Sequence, residues 1–188
     1  MSRSKSYALW INAGYELFAR EGNEGIQVER LARIIGLNKS GFYNYFGDMG
    51  IYFEHLMLHH RQTTDLFCNE IDLCSSFDPD YLNLLVKHKI TVLAQNQLVR
   101  NRHIKLFLDT YNEVNLKVDH AVLPMWASFL EIPEQPAVAF RYYEMTRSTF
   151  FSRVNVDNLT YELGNEIATE AKSIIQEMIK KEDFPSKF

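Results

Sequence analysis

Apolar positions recur along the chain at intervals of three and four residues. There is no convincing two-residue alternation, no Asn-Gly or Asp-Gly hairpin turn and no internal repeat. An all-α fold is expected. A first helix over residues 4–21 puts Trp10, Ala13, Gly14, Leu17 and Phe18 on one face and stops at Gly22. After the loop "NEG", Val28, Leu31, Ala32 and Ile35 mark a second, short helix that Gly36 ends. Asn38 is placed to cap a third, over 39–46. That helix turns Phe42 and Phe46 inward and leaves Lys39, Ser40, Gly41, Tyr43, Asn44 and Tyr45 on its other faces.

Beyond the break "GDMG" a long helix is expected over 50–73, then others over 81–96, 102–118 and 121–130. Asp78 is read as the cap of the 81–96 helix, with Pro79 at its first position, and Pro124 as close to a helix start. Pro133 and Pro136 open an aromatic helix running to about residue 153. A last helix, 159–181, carries the stripe Leu159, Leu163, Ile167, Ala171, Ile174 and Met178, expected to pack along its whole length.

At 188 residues and 46 % hydrophobic content the chain can bury a substantial core. Asn12, Gly14 and Glu16 interrupt the first segment before it could serve as a signal peptide, and no run of about 18 apolar residues is free of charge. A cytoplasmic protein without membrane association is expected. Cys68 and Cys74, six apart, point to different faces of one helix and read as reduced thiols. The net charge of −4 is uneven. Residues 1–50 hold six cations against five acids, so the remainder carries −5, a balance that suits a nucleic-acid-binding head on an acidic body.

A short helix, a glycine turn and a second short helix, braced by a longer one, form the helix-turn-helix pattern. A helix entering the major groove must expose small residues where its backbone nears the bases, polar tips for base edges, and hydroxyls or cations for phosphates. Ser40 and Gly41 are small, Lys39 and Asn44 are candidate readers, and Tyr43 and Tyr45 are candidate phosphate anchors. Periodicity alone leaves equally open an ordinary packed helix whose tyrosines serve the core.

The segment over residues 11–56 resembles the DNA-binding domain of TetR-family transcriptional regulators. Leu17, Phe18, Gly22, Leu31, Ala32, Gly36, Leu37, Tyr43 and Phe46 match that pattern in order and spacing. The resemblance implies that Lys39, Ser40, Gly41 and Asn44 face the bases, that Tyr43 and Tyr45 touch the backbone, and that Gln27 falls where a hydroxyl residue usually meets a phosphate. It implies a DNA-binding domain over 1–49 and an effector-binding and dimerisation domain over 50–188. It further implies a homodimer on a palindromic double-stranded operator, acting as a repressor released by a small molecule. The sequence departs from the pattern in three places. Ile26 and Gln27 replace the hydroxyl pair that opens the second helix, Met49 replaces a lysine, and Gly50 replaces an acid.

In the C-terminal part, Phe107, Tyr111, Trp126, Tyr142 and Tyr143 are candidate walls of an effector pocket, with plain core packing as the alternative for each. Helices near 138–151 and 159–178 are candidates for a four-helix interface between two copies. His55 and His59 have a metal-capable spacing beside Glu54, but no third ligand stands at a recognised spacing. No Gly-rich phosphate loop or nucleophile elbow occurs, so neither an enzyme nor a cofactor is expected. The rivals are a helical interaction module that has lost DNA binding and a small metal-binding helical protein.

Overall fold

Helical spacing becomes nine α-helices, with no strand, among residues 3–182, the part of the chain that this computed structural model describes. They are α1 (Arg3–Glu21), α2 (Val28–Ile35), α3 (Lys39–Phe46), α4 (Met49–Ile71), α5 (Leu82–Lys87), α6 (Lys89–Arg100), α7 (Lys105–Phe129), α8 (Pro136–Arg153) and α9 (Tyr161–Glu182). Two compact units are built from interleaved stretches of sequence. One comprises the residues up to Phe67 with His88–Leu116, the other Cys68–Lys87 with the residues from Lys117 onward.

In the first unit α1 packs most extensively on α6 and also carries α2. The Tyr52 hydroxyl of α4 donates to the Trp10 carbonyl at 2.7 Å, against the backbone of α1. Glycine at position 14 makes this approach possible: a Cβ there would lie 1.6 Å from the Tyr52 hydroxyl oxygen. Phe42 then fits between Trp10 and Tyr52, with ring centroids 5.5 and 4.9 Å away, and Phe46 lies 4.8 Å from Tyr52. Both phenylalanines are buried. Each contributes roughly 1.5–3 kcal/mol of hydrophobic stabilisation, enough to hold an eight-residue helix that would not form alone.

A buried polar chain crosses the same unit. The Tyr15 hydroxyl lies 2.7 Å from His60 Nδ1, His60 Nε2 lies 2.8 Å from Gln95 Oε1, and Gln95 Nε2 donates to Asn115 Oδ1 at 2.9 Å. The sense of every link follows from the last one. Because the Gln95 amide nitrogen donates to Asn115, its oxygen must accept from His60 Nε2–H, which leaves Nδ1 to accept from Tyr15. Burial holds the Tyr15 hydroxyl up at about 12 and His60 down at about 4, so the imidazole is neutral.

The second unit is organised around Trp126, whose indole N–H donates to the Ala139 carbonyl at 3.1 Å and whose ring lies 4.8 Å from Phe77 and 5.9 Å from Tyr143. Arg147 of α8 pairs with Asp119 of α7. Burial pushes the Asp119 carboxyl up, and the Arg147 guanidinium opposes that rise.

Four sequence expectations change here. The two helices expected over 102–118 and 121–130 are the single helix α7 (Lys105–Phe129) with Pro124 inside it, because Val122, Trp126 and Leu130 bury their side chains on both sides of the proline. The expected 81–96 helix is divided at His88 (φ −95°, ψ 31°) into α5 and α6. Asp78 is extended (φ −119°, ψ 120°) and caps nothing; Ser76 takes that role at Asp80 N. The Asp78 carboxylate instead accepts from the Tyr161 hydroxyl (2.6 Å) and Asn165 Nδ2 (3.1 Å) at the start of α9. Finally, the α9 stripe is buried at Leu159 and Ile167 but 55 % exposed at Ile174 and 50 % at Met178. The buried line is carried on instead by Ala168 and Ile175, seven residues apart and so only about 20° from one another round the helix.

Candidate nucleic-acid interface

The turn between α2 and α3 is built locally. Gly36 takes the left-handed conformation (φ 68°) that ends α2, and Leu37 N donates to the Ala32 carbonyl at 3.0 Å. Asn38 Oδ1 then accepts from Ser40 N at 3.1 Å and starts α3 where the sequence places it. Gly47 (φ 73°) ends α3, and Asp48 Oδ1 accepts from Ile51 N at 2.9 Å to start α4.

At 100° per residue the α3 side chains divide into three groups. Phe42 and Phe46 face the core. Lys39, Ser40, Tyr43 and Asn44 share an exposed arc roughly 140° wide that begins beside Phe46 at Lys39. Gly41 and Tyr45 occupy the flank, each half-buried. Tyr45 rests edge-on against Tyr7 with centroids 6.0 Å apart, so its ring is held by α1. Gln27 is exposed at the N-cap of α2 and makes no capping hydrogen bond, as expected where the hydroxyl residue is replaced.

Gly41 has no structural need to be glycine. Its backbone is helical, and an added Cβ would meet only Trp10 Nε1 at 3.9 Å, an ordinary contact. A glycine inside a helix costs about 0.5–1 kcal/mol relative to alanine. The bare backbone beside the exposed arc is therefore held against the interest of the helix itself.

The charges around α3 are largely paired. Arg30 forks onto Glu21 (2.5 and 2.6 Å) and reaches the Gly25 carbonyl at 3.2 Å, and the Arg30 bond draws the Glu21 carboxyl below its ordinary range. Arg20 meets Glu16 at 3.1 Å, and Lys39 lies 3.5 Å from Glu29. Ten residues separate Glu29 from Lys39, and only the fold brings them together.

The aromatic candidates further along are placed individually. Phe107 is buried against Phe18 and Phe53 (5.4 and 5.5 Å), and Tyr111 is half-buried in the same unit. In the other unit Trp126 and Tyr143 are buried, with the Tyr143 hydroxyl 3.4 Å from that of Tyr81, and Tyr142 donates to Met178 Sδ at 3.0 Å. A cleft of about 390 Å³ in that unit is lined by Phe77, Asp78, Pro124, Met125 and Phe129 with three serines, and by none of these candidates. His55 shares a hydrogen bond with the Tyr7 hydroxyl (2.9 Å), and His59 stands edge-on to Tyr15. Among the described residues no group of three His, Cys, Asp or Glu side chains could hold a metal, and no helix is long and apolar enough to cross a membrane.

Residues 11–50, from within α1 to the first turn of α4, match the family described as bacterial regulatory proteins, tetR family. No curated protein and no solved structure matches the chain.

Proposed function

Because the chain carries a TetR-family N-terminal domain at residues 11–50, we propose that it is a sequence-specific transcriptional repressor that binds a palindromic operator as a cytoplasmic homodimer and is released by a small molecule. In this reading residues 1–49 are the DNA-binding domain and 50–188 sense the effector and dimerise. Lys39, Ser40 and Asn44 read base edges, while Gln27, Tyr43 and Tyr45 hold phosphates. Gly41 carries the reading: a glycine the fold does not need, on the flank of an exposed polar arc, is what close backbone approach to DNA requires.

Dimerisation is supported by the apolar side chains that α8 and α9 leave exposed, Val138 and Met145 on the first and Ile174 and Met178 on the second. Two helices from each copy make a four-helix interface, and a two-fold dimer sets its recognition helices about 34 Å apart for the two half-sites. The effector acts by preferring the conformation in which that spacing is wrong.

Selection of bound duplexes from a random pool tests the proposal. Recovery of a palindrome is the expected result, and a pool with no enriched sequence refutes it. The ion-paired head favours one second reading, a helical interaction module without DNA binding. Such a module would show almost no salt dependence in a titration against mixed duplex DNA.

A further inference from the structure

Lys39, the first residue of α3, does not stand alone at the surface. Its ammonium lies 3.5 Å from a carboxylate oxygen of Glu29 on α2, and the two side chains are 61 % and 69 % exposed. Exposed pairs of this kind contribute little to stability, because water screens both charges, so the fold does not depend on Glu29. The other acids nearby have different work: Glu21 grips Arg30 together with the loop before α2, and Glu16 meets Arg20 within α1. Glu29 sets a negative charge beside Lys39, at one edge of the arc of Lys39, Ser40, Tyr43 and Asn44. For a surface that must approach phosphates this is unfavourable on any sequence, unless the DNA supplies the carboxylate with a donor.

We propose that Glu29 is a specificity-determining residue that neutralises Lys39 on non-cognate DNA and releases it where a cytosine amino group is offered to the carboxylate. The inference rests on the DNA-binding reading above. In the major groove the cytosine N4 amino group is the donor that a glutamate accepts, and guanine O6 and N7 are the acceptors that a lysine seeks. On a wrong sequence Glu29 keeps Lys39 paired, and the head approaches with one neutralising charge fewer. On the right one a cytosine donor replaces Lys39 at the carboxylate, and the freed ammonium turns to a guanine or a phosphate. Discrimination then comes from weakening the wrong complexes rather than strengthening the right one.

The test compares the full-length protein with Glu29→Gln, a surface change of nearly the same shape, on a mixed-sequence duplex and on the duplex selected by the unaltered protein, each across a salt series. On mixed DNA the variant is expected to bind about fivefold more tightly per head at 0.15 M salt, with a slope steeper by about 0.9, the effect of one added phosphate neutralisation. On the selected duplex the gain should be absent, and a pool selected by the variant should lose one cytosine requirement per half-site. The gain on mixed DNA should also vanish when Lys39→Gln is present, because it acts through Lys39. Equal gains on both duplexes with an unchanged selected sequence, no gain on either, or a gain that survives Lys39→Gln would each overturn the proposal. If the unaltered protein shows neither a salt slope nor a selected sequence, the DNA-binding reading has itself failed and Glu29 has no such role, an outcome plainly different from the others.

Discussion

His60 makes the stability of the protein depend on pH. The ring is fully buried, and burial is the main reason its pKa falls from the ordinary 6.5 to about 4, while the bond to Gln95 pulls it back up and the charges of Arg61 and His59 lower it further. Because the folded value lies below the unfolded one, the unfolded chain binds more protons between the two. The stabilising contribution is therefore complete above about pH 6.5 and is lost as pH falls toward 4. The whole difference is about 3 kcal/mol, of which about 2 kcal/mol disappears between pH 7.5 and pH 5. His59, also lowered by burial, adds to the loss with the same sign. Glu21 and Glu131, drawn below their ordinary range by Arg30 and Lys172, also lose their contribution as pH falls, whereas Asp119, raised by burial, acts with the opposite sign. Urea unfolding at half-unit steps from pH 7.5 to 5 should show the decline in the unaltered protein, and His60→Gln should remove most of it. Parallel pH profiles for the two proteins would refute the assignment of a neutral, buried imidazole.

Three further outcomes follow from the geometry. Gly41→Ala should raise stability by about 0.5–1 kcal/mol in denaturant titration while weakening binding to the selected duplex; unchanged binding would remove the reason given for the glycine. Asn44→Ala should lose about 1–3 kcal/mol of preference at one base pair, whereas Tyr43→Phe should weaken all sequences about equally, as competition assays with single-position duplex variants would show. Ile174→Glu, at a position already exposed on α9, should shift the protein to monomer in sedimentation with little loss of helical signal, and an unaltered dimer would exclude that face from the interface.

What the sequence made legible was set by how locally each feature is determined. The limits of α3 could be read directly, since the Asn38 cap, the Gly36 stop and the four-residue spacing of Phe42 and Phe46 all act within one or two turns. Pro124 has the local signature of a helix start, but its penalty inside α7 is outweighed by burial of Trp126 and its neighbours, which no window around the proline reveals. The break at His88 lacks the glycine or proline that would announce it. Asp78 before Pro79 has the local signature of a cap, but its actual partners, Tyr161 and Asn165, lie more than eighty residues away. The exposed arc of α3 was visible in outline, but the pairing of Lys39 with Glu29 and the absence of any steric need for Gly41 required the packed structure.

The one-way order of donors through Tyr15, His60, Gln95 and Asn115 also limits how this part of the molecule can move. Four side chains from α1, α4, α6 and α7 each depend on the next for their orientation, so sliding any one helix by a residue strands several polar groups away from water together. Gradual slippage is thereby discouraged, and the four helices are constrained to shift as a rigid body or to part company altogether.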